Sequence, residues 1–127
     1  HSTLDNVPWL REAFAQSLYM NPVDAEARGI KKGDIVKVSS RHGTVIRPVY
    51  ITERIMPGVV TLGQGAWAEI DEETGIDKAG ATNVLNGGLP TGQGVQAYNT
   101  CNVQVEKYTG PIKLLPDYLW PKRIVEV

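Results

Sequence analysis

The stretch DAEARGIKKGDIVKVSSRHGTV, Asp24 to Val45, decides the fold because its grammar changes twice. Up to Arg28 it reads as the body of a short helix. Asn21 can cap that helix and Pro22 takes the first helical position. Asp24 lies in the positively polarised first turn, and Gly29 can end the helix in a left-handed conformation. From Asp34 the period drops to two: Val36 and Val38 face one way, Lys37 and Ser39 the other. Arg41-His42-Gly43 makes a turn, and Thr44 to Thr52 runs back as a second strand. Gly33-Asp34 is the pivot between helix and strand, so the stretch is scaffold that carries loops.

Working outward, Asn6 to Phe14 predicts a short helix opened by Pro8, with Trp9, Leu10, Ala13 and Phe14 on one apolar face. Pro48 removes a ladder donor, which predicts an edge strand or a bulge. Met56 to Leu62 holds a turn at Pro57-Gly58 and a short strand from Val59 to Leu62. Glu69 to Asp77, EIDEETGID, carries five carboxylates (Glu69, Asp71, Glu72, Glu73, Asp77) and reads as a solvated loop. Ala81 to Thr100 contains Gly87, Gly88, Gly92 and Gly94, so its middle is loop. Asn102 to Tyr108 alternates as a strand. The tail, residues 109–127, has three prolines and predicts a segment lying across the surface. Many short strands, few short helices and frequent Gly/Pro punctuation point to a small β-barrel or sandwich with helical crossovers, and the strand-dense centre flanked by short helices favours the barrel.

Composition narrows the function. The 127 residues fit one domain, and 42% hydrophobic with 21% charged is ordinary for a globular chain. A net charge of −1 supplies no basic field for nucleic acid. No apolar run is long enough to span a bilayer and no signal peptide opens the chain. The single cysteine, Cys101, rules out an internal disulfide and a paired-thiolate zinc site. The chain begins at His1 rather than Met, which predicts that sequence precedes it.

Arg41-His42-Gly43 matches the phosphohistidine tripeptide of histidine phosphatases, but at a hairpin tip the turn reading is favoured. Glu73-Thr74-Gly75 differs from an aspartic-protease signature by its Glu and has no second copy. The loop NGGLPTGQG lacks the endings and spacing of a phosphate loop or a dinucleotide fingerprint. Its surroundings are more telling. Asn83, Asn86, Gln93, Gln96, Asn99 and Asn102 crowd one region with groups that both donate and accept, which suits a pterin or guanine edge. The competing reading is that these amides cap turns and face water.

Taken in order, HSTLDN (1–6), NPVDAEARGIKKGDIVKV (21–38), RHGTV (41–45), TERIMPGVV (52–60), VTLGQGAW (60–67), TNVLN (82–86) and NVQVEK (102–107) resemble the C-terminal cofactor-binding domain of molybdopterin oxidoreductases of the dimethyl sulfoxide reductase family. The likeness covers residues 1–108, and residues 109–127 form a tail without a matching block. It implies a mainly β fold, a six-stranded double-psi β-barrel with short crossover helices. It also implies that the domain holds bis(molybdopterin guanine dinucleotide) with molybdenum. On the matching positions the cofactor contacts are His1, Ser2, Thr3, Asn83, Tyr98 and Asn99. Relatives often read His-Thr-Asn where this chain has Asn99-Thr100-Cys101. The metal ligand and any iron–sulfur cysteines belong to upstream domains, so the isolated domain is expected to be inactive.

The partners implied are the remaining domains of the same catalytic subunit, an iron–sulfur electron-transfer subunit and a membrane anchor subunit, with no nucleic acid. Location would be periplasmic or membrane-associated through those subunits in a prokaryote, with the cytoplasm left open. Two other classes compete: a stand-alone double-psi barrel without pterin, and a swapped-hairpin DNA-binding protein. The net charge argues against the second.

Overall fold

The computed structural model describes residues 3–88, 90–97 and 99–116. In chain order the elements are α1 (Pro8–Ala13), β1 (Leu18–Met20), α2 (Pro22–Ala27), β2 (Ile35–Ser39), β3 (Thr44–Ile51), β4 (Val60–Thr61), a 3-10 turn (Thr82–Val84) and β5 (Gln104–Lys107). The strands form one sheet in the order β4-β1-β3-β2-β5. Among the described residues β1 and β3 pair in parallel, and the other neighbouring strands are antiparallel. The mainly β expectation holds. Five strands rather than six pair among the described residues, and no ladder joins β4 to β5.

The sheet is nonetheless curled. Val59 and Val60, at one edge, and Val103 and Val105, at the other, line a single cavity of about 340 Å³ together with Met20. Edge strands of a flat sheet four places apart could not share a cavity, since neighbouring strands are separated by about 4.8 Å. Inside the curl lies one apolar cluster, including Leu18, Met20, Ile30, Val36, Val38, Val45, Val49, Leu85 and Val105. Val36 and Val38 therefore point inward as their period predicts. Lys37 points outward, 2.7 Å from Glu106 across the β2–β5 ladder.

The α2 helix follows the sequence closely. The Asn21 side chain accepts from the Val23 amide at 2.9 Å and donates to the Ile55 carbonyl at 2.7 Å. At the other end the Gly29 amide donates to Glu26 and the Ile30 amide to Ala25, the paired bonds of a Schellman stop. Gly29 sits at φ 65°, and Ile30 is buried against the core at that reversal. The chain then turns again at Gly33, φ 82°. Asp34 closes this turn by accepting from the Lys31 amide at 2.9 Å, and its own carbonyl accepts from Val49 of β3. The Lys31 amide, with Lys107 nearby, holds the Asp34 carboxyl below the usual carboxylate range.

Three features depart from the sequence reading or go beyond it. The strand β1 was not visible in the sequence, because Leu18–Met20 is too short to show a period and abuts the helix cap. Its Tyr19 faces out and packs against Tyr50, ring centroids 5.1 Å apart. Pro48 lies in the central strand, not at an edge. The amides of Ile46 and Thr52 both donate to one side of β3, to Asp77 and Met20 respectively, so the nitrogen of residue 48 faces that side too. There it meets a gap in the ladder, between the bridge at Asp77 and the start of β1 at Leu18. The missing donor has no acceptor to disappoint. The buried Arg47 side chain joins the residues flanking that gap, donating to the carbonyls of Gln16 and Lys78.

The third feature is the acidic loop. Glu72 and Glu73 are exposed, as a solvated loop requires, but Asp77 is completely buried. Its carboxylate accepts from the backbone amides of Glu69 (2.7 Å), Ala79 (3.3 Å), Gly80 (2.8 Å) and Ala81 (2.7 Å). Its main chain bridges β3 through Ile46 and Thr44. A composition-level reading averages over the run and misses the one carboxylate that is taken inside.

Two substitutions test this description. Asp77→Ala leaves buried amides without acceptors and is expected to cost about 3 kcal/mol or more, read by urea unfolding. Gly33→Val has open space around a new Cβ but a φ that suits no β-branched residue. It is expected to cost about 1–2 kcal/mol through backbone strain alone, read the same way.

Candidate functional site

The β2–β3 hairpin reaches across the mouth of the curl and docks on the 3-10 turn. Ser40 closes the hairpin with Gly43 (2.9 Å), and its hydroxyl donates to the Leu85 carbonyl at 2.7 Å. The Cys101 thiol donates to the same carbonyl at 3.2 Å. Two glycines make this docking fit. A Cβ on Gly43 would lie 2.6 Å from the Val84 carbonyl oxygen, and one on Gly87 would lie 2.2 Å from Nε2 of His42. Arg41-His42-Gly43 is thus a hairpin tip, as expected, but Gly43 is required there by its close approach to Val84 and not by a left-handed φ.

Around Cys101 three cavities adjoin. The first, about 320 Å³, is lined by Leu18, Val38, Val60, Leu62, Leu85 and Val103 with Thr61, Thr82, Asn86 and Asn99. The second is the 340 Å³ space between the sheet edges, which also touches Asn99, Asn102, Asp24 and Arg28. The third, about 410 Å³, lies under the hairpin tip against Ser40, Arg41, His42, Asn86, Gly87 and Asn102. Cys101 lines all three, so they form one groove along the open side of the curl. The first cavity has mainly apolar walls, whereas the second and third carry more polar and charged side chains, and amides lie along all three. Individually the cavities match the small end of ligand clefts, about 300–1,000 Å³.

The expected site residues divide. Asn99 lines the first two cavities. Asn83 is exposed on the 3-10 turn, whose neighbours Thr82, Leu85 and Asn86 line the groove while Asn83 itself lines none of these three cavities. Thr3 is exposed in the turn before α1; nearby, Asp5 accepts from the Trp67 amide at 3.1 Å. His1, Ser2 and Tyr98 lie outside the described residues. Of the amide cluster, Asn86, Asn99 and Asn102 meet at the groove, whereas Gln93 is exposed on the glycine-rich loop. The sequence did not mark Ser40, Arg41, Leu85 or Cys101 as neighbours. They are separated by up to 61 residues and share no periodic signal. Among the described residues no group of three or more His, Cys, Asp or Glu is placed to hold a metal. No described helix is long and apolar enough to cross a membrane.

Comparison with known proteins points one way. The family model described as molydopterin dinucleotide binding domain matches residues 1–102. The dimethyl sulfoxide reductase DmsA of Haemophilus influenzae is 46% identical over 91 residues, spanning 72% of this chain and 11% of that protein. DmsA of Escherichia coli is 42% identical over 84% of this chain and 13% of its own length. The trimethylamine-N-oxide reductase of Salmonella typhimurium is 36% identical over 98% of this chain and 16% of that protein. The chain thus spans a small part of each of these relatives. Among solved structures, acetylene hydratase from Pelobacter acetylenicus shares the fold with a TM-score of 0.63, at 19% identity over 78% of this chain and 15% of that one.

The docked hairpin can be tested directly. Gly43→Ala drives a methyl group into the Val84 carbonyl, and is expected to cost about 1–3 kcal/mol by overpacking. Faster amide exchange at Ser40 and in the 3-10 turn, read by NMR, would accompany it.

Proposed function

We infer that this chain, which belongs to the molybdopterin dinucleotide binding domain family, holds bis(molybdopterin guanine dinucleotide) in a dimethyl sulfoxide reductase-like oxidoreductase. The observation that supports this most is the groove itself. Its middle cavity is lined by apolar side chains and by Asn86, Asn99, Thr61 and Thr82, with no charged group. A flat heterocycle needs apolar walls for its faces and mixed donors and acceptors for its edge, and amides provide both on one side chain. The residues therefore fit the group. Asn86, Asn99 and Asn102 would hold it from the described part of the groove. Family correspondence adds His1, Ser2, Thr3, Asn83 and Tyr98.

When bound, the cofactor supplies oxygen-atom transfer at its molybdenum. This chain's residues orient it, satisfy its polar edge and exclude water from its flanks. In the longer protein the curl is completed as a six-stranded double-psi barrel, and the remaining domains of the catalytic subunit supply the metal's protein ligand. The domain alone is inactive in this reading. An iron–sulfur subunit and a membrane anchor complete the assembly, on the periplasmic side or at the membrane of a prokaryote.

In the full-length protein, Asn99→Ala removes hydrogen bonds to the cofactor and should weaken its retention about tenfold. Molybdenum and released guanine nucleotide, measured per polypeptide after gel filtration, report this. Wild-type content of both in Asn99→Ala and Asn83→Ala would overturn the reading in favour of a pterin-free module.

A further inference from the structure

We propose that the 410 Å³ cavity under the β2–β3 hairpin tip is an anion subsite that takes the phosphate groups of the bound dinucleotide, with Arg41 as its cation. This rests on the dinucleotide reading of the groove and adds which end holds which part. The three cavities differ in charge. The middle one has none in its lining. The one beside α2 contains Asp24 and Arg28, a balanced pair; the Asp24 carboxylate already accepts from the Gly58 amide at 2.7 Å, and Arg28 donates to the Asp24 carbonyl at 3.4 Å. The hairpin cavity has Arg41 in its lining and no carboxylate. Among the described residues Arg41 makes no ion pair or hydrogen bond, and it is exposed at the rim.

A phosphate diester stays anionic at any physiological pH. Burying it against neutral walls is costly, so the groove must offer it a permanent cation. A guanidinium is charged throughout that range and can donate two parallel bonds to one phosphate group. The remaining wall suits the same ligand. His42 presents its ring there, seated on Gly87 so closely that no side chain fits between them. The Asn102 side-chain amide makes no hydrogen bond among the described residues and lines the same space. The hairpin that carries Arg41 is itself anchored, through Ser40 to Leu85 and through Gly43 against Val84. Arg41 is therefore presented from a fixed support.

The test uses the purified full-length protein with Arg41→Gln, Arg41→Lys and Asn99→Ala. Guanine nucleotide and molybdenum are measured per polypeptide after gel filtration at low and at high salt. Arg41→Gln should hold the cofactor about tenfold more weakly at low salt, with the difference from wild type shrinking at high salt as the charge contact is screened. Arg41→Lys should recover part of the loss. Independently of any variant, phenylglyoxal should modify Arg41 in cofactor-stripped wild-type protein and spare it in the loaded protein, as located by peptide mass. Wild-type retention by Arg41→Gln, or equal modification of Arg41 in both forms, overturns the subsite. If Asn99→Ala still loses cofactor in that case, the groove reading stands; if it does not, that reading falls as well.

Discussion

A carboxylate withdrawn from water must be surrounded by donors, and the burial of Asp77 organises the rest of this molecule. Four backbone amides from two segments, Glu69 on one side and Ala79 to Ala81 on the other, converge on its two oxygens. The same residue extends the edge of β3 beyond β1 through its main chain. This one residue thus gathers the long connection between β4 and the 3-10 turn with its side chain and pins it onto the central strand with its main chain. Without that connection the turn carrying Thr82 to Val84 would have no fixed place opposite the β2–β3 hairpin, and the groove would lose one wall.

Next to it, Arg47 solves a related problem. The central strand cannot donate at Pro48, and the ladder on that side is interrupted between Asp77 and Leu18. Arg47 spans the interruption by donating to Gln16 and Lys78, with Gly80 bare beside its side chain because a Cβ there would lie 2.8 Å from Cδ. Buried Asp77 and buried Arg47 therefore both act through backbone groups, Asp77 on amides of its own loop and Arg47 on carbonyls 31 residues away on either side. Both hold loops that have no periodic pattern of their own.

The groove follows from curvature. The sheet bends until its edge strands face one another, and Met20, Val60, Val103 and Val105 line the space between them. That open side is where amides from the 3-10 turn and from the approach to β5 come within reach of the hairpin. Rigid strands supply the walls, and loops supply the polar groups, a division that lets chemistry vary without disturbing the core.

What the residues alone determined is local. Asn21-Pro22 and Gly29 dictated a capped helix and its stop, and Val36 and Val38 dictated an inward strand face, because caps, period and φ are properties of a few adjacent residues. The ordered blocks from His1 to Lys107 carried the family likeness for the same reason. Tertiary structure alone decided which acid of Glu69 to Asp77 is buried, why a proline sits in the central strand, and that Leu18 to Met20 is a strand. It alone brought Arg41, Leu85, Asn99 and Cys101 to one groove. The strand, the proline's place and the groove depend on partners contributed by segments far apart in the chain. The Asp77 carboxylate finds its donors close by, at Glu69 and Ala79 to Ala81, but what fixes that loop on the sheet is its main-chain pairing with Thr44 and Ile46, which no window of neighbouring residues contains.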